Sequence, residues 1–409
     1  MPFPLHRYFK IALFNLLLIA AIGVILRYKI AFSLPFIDQK HLLHGHSHFA
    51  FAGWISHALI LLLVAYLAAQ KDESVYKRYR WVINANLITA YGMLISFPLQ
   101  GYGLYSIMFS TLSIFVSYAF AIMYWKDLNS LPEKKISHSW MKAALLFNAL
   151  SSAGAFGLAY MMATKNVHQN WYLASVYFFL HFQYNGWFLF ACMGLGTDKL
   201  LKKVAPHTLK RIFWLFAAAC IPAYFLSALW LPIPAWVYVL VVIAAFSQLA
   251  GWIITIQQIK KQLPFIGVTI NSLSRWLLLL SAVALSIKLL LQLGSTIPSL
   301  SNIAFGFRPI AIGYLHLILL GVITLFLLGF MIAENQIQLN QLTTSGVKIF
   351  TAGVIINEIF LMIQGVAAMI YRPVPFINEA LLLAAGIIFS GIILLTISQG
   401  TTHNRKLEL

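Results

Sequence analysis

The sequence predicts an all-α, polytopic membrane protein, and three observations lead to this fold class. First, 61% of the 409 residues are hydrophobic and only 9% are charged, with a mean hydropathy of +0.84. Second, apolar runs of about 18 to 25 residues recur along the chain, long enough to cross ~30 Å of hydrocarbon as helices. Third, these runs lack the alternating polarity of membrane β-barrel strands. A soluble globular domain does not have this composition.

The apolar runs predict twelve transmembrane helices within a single integral membrane domain, residues 1–409. The short polar breaks between the runs leave no room for a separate soluble domain. In chain order, the predicted spans are residues 10–27, 43–69, 79–98, 102–125, 140–163, 171–196, 210–230, 234–257, 273–292, 309–333, 347–370 and 375–398.

Positive charge follows the loops and does not form a face for nucleic acid. The formal net charge is +18, and most of the 28 Lys and Arg residues fall at one set of loop ends. Cytoplasmic loops carry such an excess. We therefore expect both termini in the cytoplasm and a location in a bacterial-type inner membrane, with the lipid bilayer as the surrounding partner. Lys288 is an exception inside span nine, and we expect it to extend toward the membrane surface.

Three histidines recur at nearly even intervals, each inside an apolar run and each followed five residues later by glycine. They are His48 in HFAFAG, His181 in HFQYNG and His316 in HLILLG, 133 and 135 residues apart. An ionisable residue inside a bilayer is costly and usually functional. Because the three fall in predicted spans two, six and ten, the chain reads as three groups of four spans, each with a ligand position.

The histidines of spans two and ten are predicted to lie in the outer third of the membrane. His44, His46 and His48 occupy the first turns of span two, and His316 lies roughly 10 Å into span ten at ~1.5 Å per residue. On a helix, His44 and His48 share one face, and His46 lies on the opposite one. Two imidazoles from different helices can hold a b-type haem iron inside an apolar bundle. At least one span-two histidine is therefore a predicted ligand, with a preference for His46 or His48.

Two arginines near the outer ends of spans ten and eleven, Arg308 and Arg372, are candidates for binding the haem propionates. The guanidinium group can pair with both oxygens of a carboxylate at once. The alternative is that each arginine only anchors the end of its helix at the membrane interface.

Polar residues also occur deep inside spans six and eleven. His181, Tyr184 and Asn185 share one helix face because their spacing is i, i+3, i+4. They either provide a metal ligand with a phenol nearby or form hydrogen bonds across helices. Glu358, near the middle of span eleven, either belongs to a proton path or is a neutral, hydrogen-bonded carboxyl group.

Together these residues resemble the haem–copper oxidase superfamily, which comprises the catalytic subunit I of respiratory oxidases and the large subunit of nitric oxide reductases. The segment HGHSHFAFAGW is similar to the family's span two, GYLHLILLG to span ten, and HFQYNGW to the reductase version of span six. The resemblance implies a subunit I-like bundle with pseudo-threefold groups of four helices. It also implies that His316 is a low-spin haem ligand, that His181 is a metal ligand and that Arg372 binds a propionate.

The chain departs from the family pattern at three places. Tyr314 stands where the family has its high-spin haem ligand, span seven lacks the family's His-His pair, and Asn185 replaces a glutamate. A conventional binuclear centre is therefore not expected. Since tyrosine can ligate haem iron, a second haem, or a copper or iron ion, near His181, Tyr184 and Tyr314 stays compatible with the resemblance. The pattern is also loosely similar to the twelve-span NnrS-type membrane haem proteins linked to nitric oxide.

The resemblance implies a membrane haem protein with one low-spin haem b, active in electron transfer or in chemistry on a small gas such as oxygen or nitric oxide. Such an oxidoreductase would receive electrons from a cytochrome or a quinol, with or without accessory membrane subunits. Two other hypotheses stay open. One is a proton-coupled transporter that uses the histidines and Glu358, and the other is a non-catalytic assembly or sensor protein that keeps the fold without a cofactor.

Overall fold

The computed structural model describes residues 4–301 and 307–400. Within these ranges the chain is mostly helical and contains no β-strand. Helices are the expected result, because apolar runs inside a bilayer must satisfy their backbone hydrogen bonds internally. The all-α fold class is thus confirmed. The C-terminal residues 401–409, predicted to be cytoplasmic, lie outside the described part of the chain.

We number the long helices α1–α12 in chain order. The first six are α1 Leu5–Ala31, α2 Gln39–Gln70, α3 Ser74–Gln100, α4 Leu104–Asn129, α5 Ile136–Ala163 and α6, residues 169–200. The next are α7, made of Pro206–Cys220 and the 3-10 helix Pro222–Ala228, then α8 Ala235–Thr269, α9 Ser272–Gly294, α10 Arg308–Ala333, α11 Gln341–Met369 and α12 Ile377–Ser398.

In the described ranges, ten helices are long and apolar enough to cross a membrane, namely α1–α5 and α8–α12. By length and composition, these helices are compatible with ten of the predicted spans. Helix α7 bends by 43° at the break before Pro222, and its two parts form at most one further span. Proline at that position lacks a backbone donor and interrupts the α-helix. Helix α6 is long enough but less apolar, since His181, Gln183 and Asn185 lie in its middle. The count of twelve spans stays a prediction.

The helices group into two compact units. Unit 1 consists of Met1–Phe120, Trp276–Leu278 and Thr324–Leu409, and unit 2 consists of Ala121–Arg275 and Leu279–Ile323. In unit 1, α12 packs along both α11 and α1, and α2 packs against α3. In unit 2, α5 packs against α6, and α7 packs against α8. The single-domain organisation expected from the sequence stays a prediction.

Helices α2, α6 and α10 share an unusual backbone feature, because each contains a π-helical segment in its middle. The segments are Ala50–Ser56, Phe182–Phe188 and Leu317–Thr324. They begin one or two residues after His48, His181 and His316, respectively. The π-helix is rare, and single π-helical turns inside α-helices are frequent at functional sites. This backbone feature therefore recurs with the same period as the histidine–glycine motif.

Candidate functional site

The π-helical segment of α2 is held by side chains from its neighbours in unit 1. The Asn15 amide on α1 donates to the backbone carbonyl of Gly53 at 2.6 Å, and the Asn86 amide on α3 donates to that of Ala52 at 3.1 Å. The Tyr91 hydroxyl in turn donates to Asn15 Oδ1 at 2.6 Å. Because a carbonyl group without a partner is costly in an apolar interior, these bonds stabilise the altered helix after His48.

Unit 2 has the same kind of contact at both of its π-helical segments. The Cys220 thiol on α7 donates a weak hydrogen bond to the carbonyl of Asn185 on α6, over 4.0 Å. The Ser281 hydroxyl on α9 donates to the carbonyl of Val322 on α10 at 2.7 Å. In each of the three histidine helices, a neighbouring helix thus places a donor near a carbonyl group of the π-helical segment.

The glycine of each motif permits close packing. A Cβ atom on Gly186 would lie 2.5 Å from Cβ of Phe147 on α5, and one on Gly321 would lie 3.2 Å from a methyl group of α9. A Cβ atom on Gly53 would lie 2.5 Å from the Phe49 ring. Contacts this short are not tolerated without displacement of a neighbour, so the glycine half of the motif has a packing role.

The α2 histidines divide between two faces of the helix. On the face toward the end of α3, the His48 ring stacks on Phe97 with centroids 4.3 Å apart, and its Nε2 lies 3.4 Å from the Tyr102 hydroxyl. The His44 ring meets Tyr102 edge-on at 4.7 Å. The buried Nε2 of His44 has no hydrogen-bond partner within the described ranges. Two imidazoles therefore share an aromatic environment on this face.

His46 lies on the opposite face, toward α1. A Cβ atom on Gly23 would be 3.6 Å from Cε1 of His46, an ordinary van der Waals distance, so the ring lies against α1. The buried Nδ1 of His46 lacks a hydrogen-bond partner among the residues described. Arg27 of α1 interacts electrostatically with both His46 and Glu358 of α11. The Asn357 amide donates to the Glu358 carboxylate at 3.1 Å. Unit 1 thus groups a histidine, an arginine and a carboxylate.

His181 lies in a stretch of α6 that is buried within unit 2 from residue 181 to residue 192. Its Nε2 donates to the carbonyl of Cys220 at 2.8 Å, which leaves Nδ1 as the acceptor. The Asn185 amide nitrogen lies 3.1 Å from that Nδ1. Both ring nitrogens therefore form hydrogen bonds, one to α7 and one within α6.

The two tyrosines identified from the sequence come together in unit 2. The rings of Tyr184 on α6 and Tyr314 on α10 meet at nearly right angles, with centroids 6.4 Å apart. The His181 and Tyr184 ring centroids are also 6.4 Å apart. Tyr184 is buried, whereas Tyr314 is partly exposed. This edge-on ring contact links α6 to α10 inside unit 2.

The remaining predicted residues are distributed between the units. Unit 1 contains His44, His46, His48, Glu358 and Arg372, and unit 2 contains His181, Tyr184, Tyr314, His316 and Arg308. Both arginines are exposed, Arg308 at the start of α10 and Arg372 after α11. Across the described residues, no group of three or more His, Cys, Asp or Glu side chains is arranged to hold a bare metal ion.

The environment of Lys288 differs from the sequence-based expectation. Its side chain does not reach the membrane surface, since the residue is only 2% exposed. Its ammonium group donates to Oε1 of Gln292 one turn later, and the Gln292 amide donates to Oε1 of Gln248 on α8 at 2.7 Å. The expectation was wrong because these glutamines provide polar partners inside unit 2. Only the i, i+4 spacing of Lys288 and Gln292 could have indicated this from the sequence.

No protein-family model matches the chain, and no curated protein matches it. The chemistry of the candidate site is therefore inferred from its residues and their geometry.

Proposed function

We propose that this chain is a twelve-span membrane haem protein with a subunit I-like arrangement of helices. It binds one low-spin haem b through a histidine of α2 and His316 of α10. One observation carries the proposal: in α2, α6 and α10, a histidine is followed by a π-helical segment that neighbouring helices stabilise. A rare backbone feature at three related positions is consistent with the positioning of functional side chains.

The α2 histidines fit an axial haem ligand. His44 Nε2 and His46 Nδ1 are both buried and lack a hydrogen-bond partner within the described ranges. Burial of a polar atom without a partner is unfavourable, and coordination by iron would supply the missing partner. His48 Nε2 has only a long contact of 3.4 Å to the Tyr102 hydroxyl, which an iron ion could replace at little cost.

When bound, a haem coordinated by two histidines supplies reversible one-electron transfer. The chain's own residues bind and orient it. Arg308 and Arg372, exposed at helix ends, would pair with the propionates. Phe97 and Tyr102 would restrict the rotation of the imidazoles that they contact and shield them from water.

Chemistry on oxygen or nitric oxide would need a second haem, copper or iron centre. The adjoining phenols of Tyr184 and Tyr314 are the candidate contacts for such a centre in unit 2. Electrons would come from a cytochrome or a quinol, with accessory membrane subunits as further partners. The excess of Lys and Arg at one set of loop ends supports an inner-membrane location with cytoplasmic termini.

A reduced-minus-oxidised absorbance spectrum with haem extraction tests the proposal. The full chain is produced with a haem supply and purified in mild detergent. We expect a sharp b-type signal that disappears in His316→Ala and persists in His168→Ala, which alters an exposed loop histidine. A correctly folded protein without haem would refute the proposal.

Proton-coupled transport is the second candidate, and the Arg27, His46 and Glu358 group in unit 1 favours it. Charged or ionisable residues inside a membrane protein often form proton pathways. This candidate predicts a colourless protein that carries protons in proteoliposomes, with the flux lost in Glu358→Gln. A haem-containing protein without Glu358-dependent flux would exclude it.

A further inference from the structure

A hydrogen-bond chain that starts on α8 ends at a buried ammonium group in unit 2. Gln248 accepts from Gln292, and Gln292 accepts from Lys288. Each of the three residues is at most 5% exposed. No carboxylate of the described residues lies within 4.0 Å of Lys288 Nζ, the limit for an ion pair. Since a lysine ammonium has three N–H donors, two of them need other acceptors.

A second chain starts on α7 and ends at a buried acceptor on α6. The Cys220 carbonyl accepts from His181, whose other ring nitrogen accepts from the Asn185 amide. Asn185 is 5% exposed, and its Oδ1 has no hydrogen-bond partner in the part of the chain described. Unsatisfied amide oxygens are uncommon in protein interiors, so this atom points to an additional donor.

The last residue of each chain lines the same small cavity. Lys288 and Asn185 line it together with Tyr184 and apolar side chains of α6, α9 and α10. Its volume is about 10 Å³, which is close to the ~10–15 Å³ that one water molecule requires. A molecule that forms hydrogen bonds to both Lys288 and Asn185 must accept from the ammonium group and donate to the amide oxygen. A halide ion cannot donate and a metal ion cannot accept, whereas water does both.

We infer that this cavity binds one water molecule, held between Lys288 and Asn185. The water accepts a hydrogen bond from Lys288 Nζ and donates one to Asn185 Oδ1. It joins the two chains into one hydrogen-bonded path from Gln248 on α8 to the α7 backbone, through the apolar interior of unit 2. The titratable side chains near Lys288 are His181, Tyr184 and Cys220, and none is a carboxylate. Water is therefore the group that solvates the ammonium.

Hydroxyl-radical labelling of the full chain in H₂¹⁸O tests for this water, because radicals form on bound water as well as in bulk solvent. Tyr184 lines the cavity and is 4% exposed, whereas Tyr124 is fully buried and does not line the cavity. We expect oxidation of Tyr184 at least several-fold above that of Tyr124, with incorporation of ¹⁸O. Equal labelling of the two tyrosines would overturn the inference.

Two variants test which residues hold the water. Lys288→Met and Asn185→Leu have nearly unchanged volumes, and each removes one of the two polar contacts. We expect labelling of Tyr184 to fall to the level of Tyr124 in both. Gln248→Leu, which alters the first chain at the residue farthest from the cavity, should leave the labelling of Tyr184 unchanged. If Tyr184 is labelled as in the unmodified protein in both Lys288→Met and Asn185→Leu, then these residues do not hold the water. The comparison of Tyr184 with Tyr124 in the unmodified protein decides the inference even if a variant fails to fold.

Discussion

The side-chain amide of Asn15 donates a hydrogen bond of 2.6 Å to the backbone carbonyl of Gly53. The two residues are 38 positions apart, and the bond joins α1 to the π-helical segment that follows His48. A π-helical segment rotates the residues that precede it relative to those that follow it. By stabilising this segment, the Asn15–Gly53 hydrogen bond helps to set the direction in which the α2 histidines face.

Replacement of Asn15 by leucine should destabilise unit 1 by about 1–3 kcal/mol, because the Gly53 carbonyl would lose this buried side-chain donor and the Tyr91 hydroxyl would lose its acceptor. Thermal unfolding in detergent measures the effect. Tyr91→Phe removes only the hydroxyl that bonds to Asn15 Oδ1, and a smaller loss of about 1 kcal/mol is expected. The neighbouring Phe14 is 45% exposed, so Phe14→Leu is a matched control. Equal unfolding temperatures for Asn15→Leu and Phe14→Leu would contradict the assigned role.

Replacement of Gly186 by alanine should destabilise unit 2 by about 1–3 kcal/mol, because the added methyl group would overlap Phe147. Gly386 in α12 is a matched control, since a Cβ atom there meets nothing within 4 Å. Gly386→Ala should be neutral or stabilise the helix by up to ~1 kcal/mol. The unfolding temperatures of the two variants measure the difference. If Gly186→Ala is as stable as Gly386→Ala, close packing does not explain the motif glycine.

The sequence predicted which helices carry the histidine motif, but it could not predict their π-helical segments. The motif residues are local in sequence, whereas the donors that stabilise the altered backbone lie on other helices. Asn15 and Asn86 come from α1 and α3, and Ser281 comes from α9. The sequence gives no direct measure of such distant contacts.

For the candidate site too, the sequence predicted the local features but not the contacts between helices. The separation of His46 from His44 and His48 onto opposite faces follows from about 100° of rotation per residue. The burial of Lys288 was only partly predictable, because Gln292 lies one turn away on the same helix, whereas Gln248 lies on another helix. The partners of the polar residues of α6 were not predictable either, since Gln183 donates to Asn148 and Ser151 on α5.

Only one of the α2 histidine substitutions should abolish the low-spin haem signal, because a single imidazole occupies each axial position of the iron. The variants are His44→Ala, His46→Ala and His48→Ala, and the measurements are haem content and the electron paramagnetic resonance spectrum of the oxidised protein. Loss of the low-spin signal in His46→Ala alone would place the haem on the face of α2 toward α1. Loss in His44→Ala or His48→Ala alone would place it on the face toward Phe97 and Tyr102. A partial loss of similar size in all three variants would contradict ligation by any one of them.

The start of α2 should become less protected at low pH, because it depends on an ionised Asp38. The Asp38 carboxylate accepts from the backbone N–H of His41 at 2.7 Å. That hydrogen bond, together with the nearby positive charge of Lys29, lowers the pKa of Asp38 below its usual 3.8. Because the folded-state pKa is lower than the unfolded-state pKa, the stabilisation is complete above pH 3.8 and is lost as the pH falls through the folded-state value.

Amide hydrogen exchange of residues 39–44, corrected for the intrinsic effect of pH, measures this loss of protection. In Asp38→Asn the side chain can still accept the hydrogen bond but cannot ionise, so protection should no longer change across this range. Asp38→Ala should have low protection at every pH. If the unmodified protein and Asp38→Asn show the same pH dependence, another group controls the start of α2. The position of the α2 histidines would then not depend on this cap.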